Sequence, residues 1–148
     1  MSLTARPARR ADVLEITALF NDGTAGPGAV AVDVGPYEAA FDAMAAEPEN
    51  HLIVGEMNAR IVACCQLIFF SGLSNPGQRR AQVAALRVAP DMVGQGLEQQ
   101  MIEDAKARAR AAGCGLIQIT AIREEIVMGM IEGVGFTASG TSYTQRLD

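Results

Sequence analysis

The sequence predicts a mixed α/β domain, and three observations carry that expectation. Two apolar segments, residues 51–56 and 61–70, are joined tightly through Asn58, which is a hairpin signal and so an antiparallel pair. Further along, Leu97, Met101, Ala105 and Ala109 recur every fourth residue with Ile102 beside them, the buried stripe of a helix. The short apolar segment that follows, Leu116 to Thr120, suits a strand buried on both faces and paired in parallel with the strand before that helix. The order read along the chain is β-α-α-β-β-β-α-β-α-β, a single domain over residues 1–148.

Leu3 to Ala8 reads as the first strand. Asp12 to Phe20 then places Val13, Leu14, Ile16, Leu19 and Phe20 at helical spacing, with Asp12 and Glu15 in the first turn. From Asn21 to Pro36 glycines and prolines break every period, giving a long loop of the kind that often carries function. A second helix runs from Tyr37 to Ala46, with Tyr37, Phe41 and Met44 on one face and Pro48 beyond its end. After the hairpin, Ser71 to Gln78 is a linker, and Arg80 to Ala89 is a strand whose parity slips. Val83 lies on one parity, Leu86 and Val88 on the other, so a bulge near Ala84-Ala85 keeps all three in the core. Pro90 ends that strand. The long helix stops at Gly113 and Gly115, a last helix spans about Glu125 to Glu132, and Phe136 to Leu147 is expected to close the sheet.

Composition removes several function classes. A hydrophobic fraction of 49% with 20% charged residues excludes disorder as the main state of these 148 residues. The net charge of -5 argues against nucleic acid or an anionic membrane as partner and is compatible with amine substrates. The longest greasy run, Ile61 to Phe70, is broken by Gln66 and is half a membrane span. Arg6, Arg9 and Arg10 are followed by Asp12 and Glu15 and no apolar core, so the N-terminus is not read as a signal peptide. Cys64 and Cys65 are neighbours on a strand, point to opposite faces and are not expected to bond; with Cys114 they form no metal or CxxC spacing. Core packing in a reducing, cytoplasmic setting follows, with no metal site.

The segment that points to chemistry is strand, Pro90, Gly94-Gln95-Gly96, helix. Glycines at such a turn let backbone N–H groups approach a phosphate at the positive end of the helix dipole. Residues 80–90 followed by Val93-Gly94-Gln95-Gly96-Leu97-Glu98 resemble motif A of the GNAT superfamily, in which a bulged strand precedes Arg/Gln-x-x-Gly-x-Gly/Ala. Pro36-Tyr37, Gly72-Leu73-Ser74, Ala112-Gly113-Cys114 and Gly135-Phe136 extend the resemblance over nearly the whole chain.

That resemblance implies a mostly antiparallel sheet with flanking helices, whose parallel fourth and fifth strands splay apart at the bulge. It implies that acetyl-CoA is the co-substrate, its pantetheine pairing with backbone around Leu86, Arg87 and Val88, its pyrophosphate held at Gly94, Gln95, Gly96 and Leu97. An amine, small-molecule or peptide, would enter near the loop 21–36 and attack the thioester directly; a homodimer is compatible with the family. The departures are equally specific. Val93 stands at the Arg/Gln position and Glu98 at the last Gly/Ala position. Ala84 lies where relatives often carry a Glu base, Ile131 where they usually carry a Tyr acid, and no Asn occurs in 123–127. No catalytic residue is therefore carried over. Tyr143 is a packing residue that could reach the cleft from the last strand. His51 stands alone at a strand start, Glu124 and Glu125 are read as helix caps, and Met101, Met128 and Met130 as core. The leading function is acetyl transfer to an amine through a nonstandard site. The alternatives are a GNAT-fold binding or regulatory module without turnover, and an unrelated small α/β ligand binder.

Overall fold

The computed structural model describes residues 2–21, 33–120 and 125–147, and the side chains of all these except 125–128. Strand β1 (Thr4–Pro7) leads through a 3-10 turn, Arg10–Asp12, into α1 (Val13–Phe20). Helix α2 (Gly35–Ala45) begins with Pro36 in its first turn, where a missing N–H costs nothing. The hairpin is β2 (Asn50–Met57) and β3 (Arg60–Phe70), closed by Asn58 and Ala59. Both turn residues have positive φ, 51° and 63°, as a two-residue hairpin turn that follows the strand twist requires. A single turn, α3 (Ser74–Gly77), in which Asn75 and Pro76 are not helical, precedes β4 (Arg80–Val88); then come α4 (Leu97–Ala111), β5 (Leu116–Ile119) and α5 (Glu125–Gly133).

The strands form one sheet in the order β1-β2-β3-β4-β5. The first four run antiparallel and β5 joins β4 in parallel. Two apolar cores lie on the two faces. Cys65, Leu67, Ala81 and Val83 pack with Met101, Ala105 and Ala109 of α4. Ile16 of α1 packs with Val54, Ile61 and Cys64 on the other side. Cys64 and Cys65 thus face opposite ways, as the strand pleat demands, and both thiols are pushed up to about 12 by burial.

Two expectations change. Residues 136–147 form no strand; they are irregular, and Tyr143 and Leu147 are 92% and 94% exposed. Phe136, Tyr143 and Leu147 are the only large apolar groups of this stretch, and their spacing builds no period-two face to hold against a sheet. The β5 strand is half-buried along its length, where burial on both faces was expected, because among the described residues it is the sheet's edge.

An ion-pair cluster ties β1 to the start of α1. The Asp12 carboxylate accepts two hydrogen bonds from Arg6, at 2.7 and 3.1 Å, and one from the Arg9 backbone N–H at 2.7 Å. Arg6 also reaches Glu56 at 3.4 Å. The Arg6 guanidinium, helped by the Arg9 N–H, holds the Asp12 carboxyl below its ordinary range against the opposing effect of burial. A depressed carboxyl stabilises the fold above its unfolded pKa of ~3.9, and that contribution is lost as pH falls through the lower folded value. Asp12→Asn is expected to cost about 2 kcal/mol at pH 7, since Arg6 loses its two-fold charged partner and keeps only the longer Glu56 contact. The deficit should shrink below pH ~4, where wild type also loses the charge. Urea unfolding at pH 7 and pH 3 checks both parts.

Candidate functional site

The β4–β5 ladder runs from Arg80↔Leu116 to Val83↔Ile119 and stops there, while β4 continues to Val88. Between Gln66↔Ala84 and Cys64↔Arg87, β4 spends one more residue than β3, and Ala85 sits at φ 52°. This is the bulge that the parity slip predicts, at the predicted place. Its effect is to return Leu86 and Val88 to the α4 face that Ala81 and Val83 already occupy. Arg87 is sent to the opposite face, where its guanidinium carbon lies 5.9 Å from the ring centroid of Phe20 in α1. Past Val83 the β5-facing edge of β4 has no strand partner among the described residues, because β5 ends at Ile119 while β4 runs on to Val88.

Beyond the open edge stands the N-terminus of α4. After the 3-10 turn Pro90–Met92, Gly94 and Gly96 take φ of 85° and 78°. An added Cβ at Gly94 would meet nothing within 4 Å, so the left-handed backbone, not crowding, is what requires glycine here. The amides of Gly94, Gln95, Gly96, Leu97, Glu98 and Gln99 donate to no backbone acceptor among the described residues. They are unspent donors at the positive end of a 15-residue helix, a fit for an anion such as a diphosphate. Leu97 itself is buried and anchors the helix to the core, so only its N–H faces that space.

The family model for the acetyltransferase (GNAT) family matches residues 16–136. The chain belongs to the GNAT acetyltransferase family. Its fold is similar to that of a transcriptional regulator from Bacillus halodurans, at 27% identity and TM-score 0.88 over 99% of this chain and 100% of that one. A Trypanosoma brucei acetyltransferase is similar at 21% identity and TM-score 0.79, over 99% and 100% of the two chains. A protein from Clostridium acetobutylicum, described as a predicted acetyltransferase with acetyl-CoA, is similar at 17% identity and TM-score 0.71, over 98% and 96%. A search of curated proteins found no match.

The departures from the GNAT pattern have definite positions. Val93 is 60% exposed at the rim of the glycine turn. Glu98 lies in the first turn of α4, where its charge suits the helix dipole and opposes any other anion placed there. Ala84 lies just before the bulge, half-buried, and Ile131 is buried within α5. Neither carries an acid or base. His51 stacks on Phe69 with ring centroids 5.1 Å apart, a packing role. Met101 is core as expected and Met130 is half-buried. Glu124 and the side chains of Glu125 and Met128 lie outside the described residues, as do residues 22–32 of the loop expected near the acceptor.

Sequence reasoning missed a cluster on the α1 face. Asn21 caps α1 by donating from Nδ2 to the Thr17 carbonyl at 2.8 Å, and the same amide lies 3.4 Å from the Tyr37 hydroxyl of α2. Its chain neighbour Phe20 stacks with Arg87. The signal that could have exposed this was the bulge itself: once the parity slip is accepted, Arg87 must point opposite to Leu86 and Val88, out of the core they share.

Proposed function

We propose that the chain is a single-domain N-acetyltransferase that uses acetyl-CoA and acts directly on a small-molecule or peptide amine, in a cytoplasmic setting that keeps its cysteines reduced. The observation that supports this most is that the β4 bulge, the end of the β4–β5 ladder and the unspent amides of α4 follow one another within residues 83–99. Leu86, Arg87 and Val88 would supply backbone to the pantetheine arm, and Gly94, Gln95, Gly96 and Leu97 would supply N–H groups to the pyrophosphate. In the reaction the amine nitrogen bonds to the thioester carbonyl carbon, the C–S bond breaks, the amine proton passes to solvent, and a proton from solvent reaches the departing thiolate. Main-chain alignment of the two reactants is the contribution this chain's residues can make, and such alignment is worth more than a single acid or base. A homodimer is part of the reading, favoured by the β5 edge, which has no strand partner among the described residues, and by the exposed Tyr143 and Leu147.

Val93 and Glu98 favour a second reading, a binding or regulatory module that transfers nothing; the Bacillus halodurans protein of similar fold is described as a transcriptional regulator. Isothermal titration with acetyl-CoA, followed by thiol-release assays on an amine panel, separates the two. Saturable binding with thiol release is expected; no binding at millimolar acetyl-CoA would sink the enzyme.

A further inference from the structure

We propose that Arg87 makes the acceptor site selective for amines that also carry an anionic oxygen group, a carboxylate or a phosphate. The inference rests on the acetyltransferase reading and deepens it. Arg87 is half-buried on β4, immediately after the bulge, on the face opposite the α4 core. Its Nη1 donates to the neighbouring Leu86 carbonyl at 2.9 Å and its plane lies by the Phe20 ring, so the guanidinium is held by a main-chain oxygen and an aromatic wall. Other partly buried guanidinium groups in the chain meet carboxylates: Arg6 meets Asp12, Arg79 meets Glu49 and Arg108 meets Asp104. Arg87 meets none among the described residues. Arg80 shares that condition, but it donates to Ser74 at the far end of the sheet, away from the strand opening.

Among the described half-buried arginines, Arg80 and Arg87 are the two without a carboxylate partner, and of these Arg87 is the one next to the bulge. A partly desolvated guanidinium gains most from a ligand that supplies two coplanar or tetrahedral oxygens to its donor fork. Phe20 is followed in the chain by Asn21, whose amide meets the Tyr37 hydroxyl, so polar groups succeed the aromatic wall at the end of α1. An amine with its anionic group on Arg87 is thereby fixed at the mouth of the β4–β5 opening, where transfer would occur.

The test titrates the protein by NMR with matched probes: β-alanine against propylamine for the carboxylate, and phosphoethanolamine against ethylamine for the phosphate. Wild type should bind the probes that carry an anionic group about tenfold or more tightly than their partners without one, the scale of a charged hydrogen-bonded pair. Arg87→Gln should collapse that ratio and Arg87→Lys should restore part of it; whichever anionic probe shows the larger ratio names the group. Equal binding of amines with and without the anionic group, equal loss of both in Arg87→Gln, or no response to any amine bearing an anionic group at millimolar concentration overturns the proposal. Acetyl-CoA titrated alongside reads the acetyltransferase proposal separately, because the amine ratios do not depend on turnover.

Discussion

Replacing Val93 by Arg and Glu98 by Gly should tighten acetyl-CoA binding by about a hundredfold or more. The backbone donors at Gly94 and Gly96 are already set by their positive φ angles, so only side-chain electrostatics need to change. An added guanidinium on phosphate contributes roughly 1.5–3 kcal/mol. Removing a carboxylate ~5 Å from the diphosphate relieves repulsion of order 3 kcal/mol at an effective dielectric of ~20. Exposure of position 93, which stands 60% open to solvent, screens part of this, and the remainder still spans two decades in Kd. Glycine in the first turn of α4 costs ~1 kcal/mol of stability, so a thermal melt should precede the titration. Low-micromolar affinity in wild type with little gain in the variant would show that other contacts hold the co-substrate.

The second large effect concerns pH. Acetyl transfer to a simple primary amine should rise about tenfold per unit from pH 7 to 9, because an acceptor of pKa ~10 must reach the site already deprotonated. The structure is compatible with this expectation: Ala84 beside the bulge and the buried Ile131 carry no acid or base, and Tyr143 is 92% exposed on irregular chain. The thiols of Cys64 and Cys65, pushed up to about 12 by burial, stay neutral across the same range and add no inflection. A rate that is flat from neutral pH would contradict the expectation and direct attention to Tyr37, whose hydroxyl meets Asn21.

Much of the frame of the site was legible before the structure because its signals are local. The one-residue parity slip between Val83 and Leu86 is reconciled with a buried strand by one extra residue, and the register of β4 against β3 contains it. Gly94 and Gly96 mark left-handed backbone that other residues adopt at a cost, and the fourfold spacing from Leu97 to Ala109 fixes which side of α4 is buried. The hairpin, the parallel entry of β5 and the opposed cysteines follow from turn length and pleat in the same way.

Other features depended on what stands across from each segment. Nothing inside Phe136 to Leu147 states whether it will pair with a sheet edge; the stretch is irregular and, among the described residues, β5 remains the edge of the sheet. Half-burial of β5 is likewise decided by its place at the edge. Arg87 read along the chain is one more charge in a strand; only the register past the bulge sets it against Phe20, apart from the carboxylates that neutralise Arg6, Arg79 and Arg108. Periodicity and turn chemistry are short-range properties of the backbone, and the sequence by itself determines them. Pairing of edges and of charges is a property of neighbours distant along the chain, and the tertiary structure alone decides it.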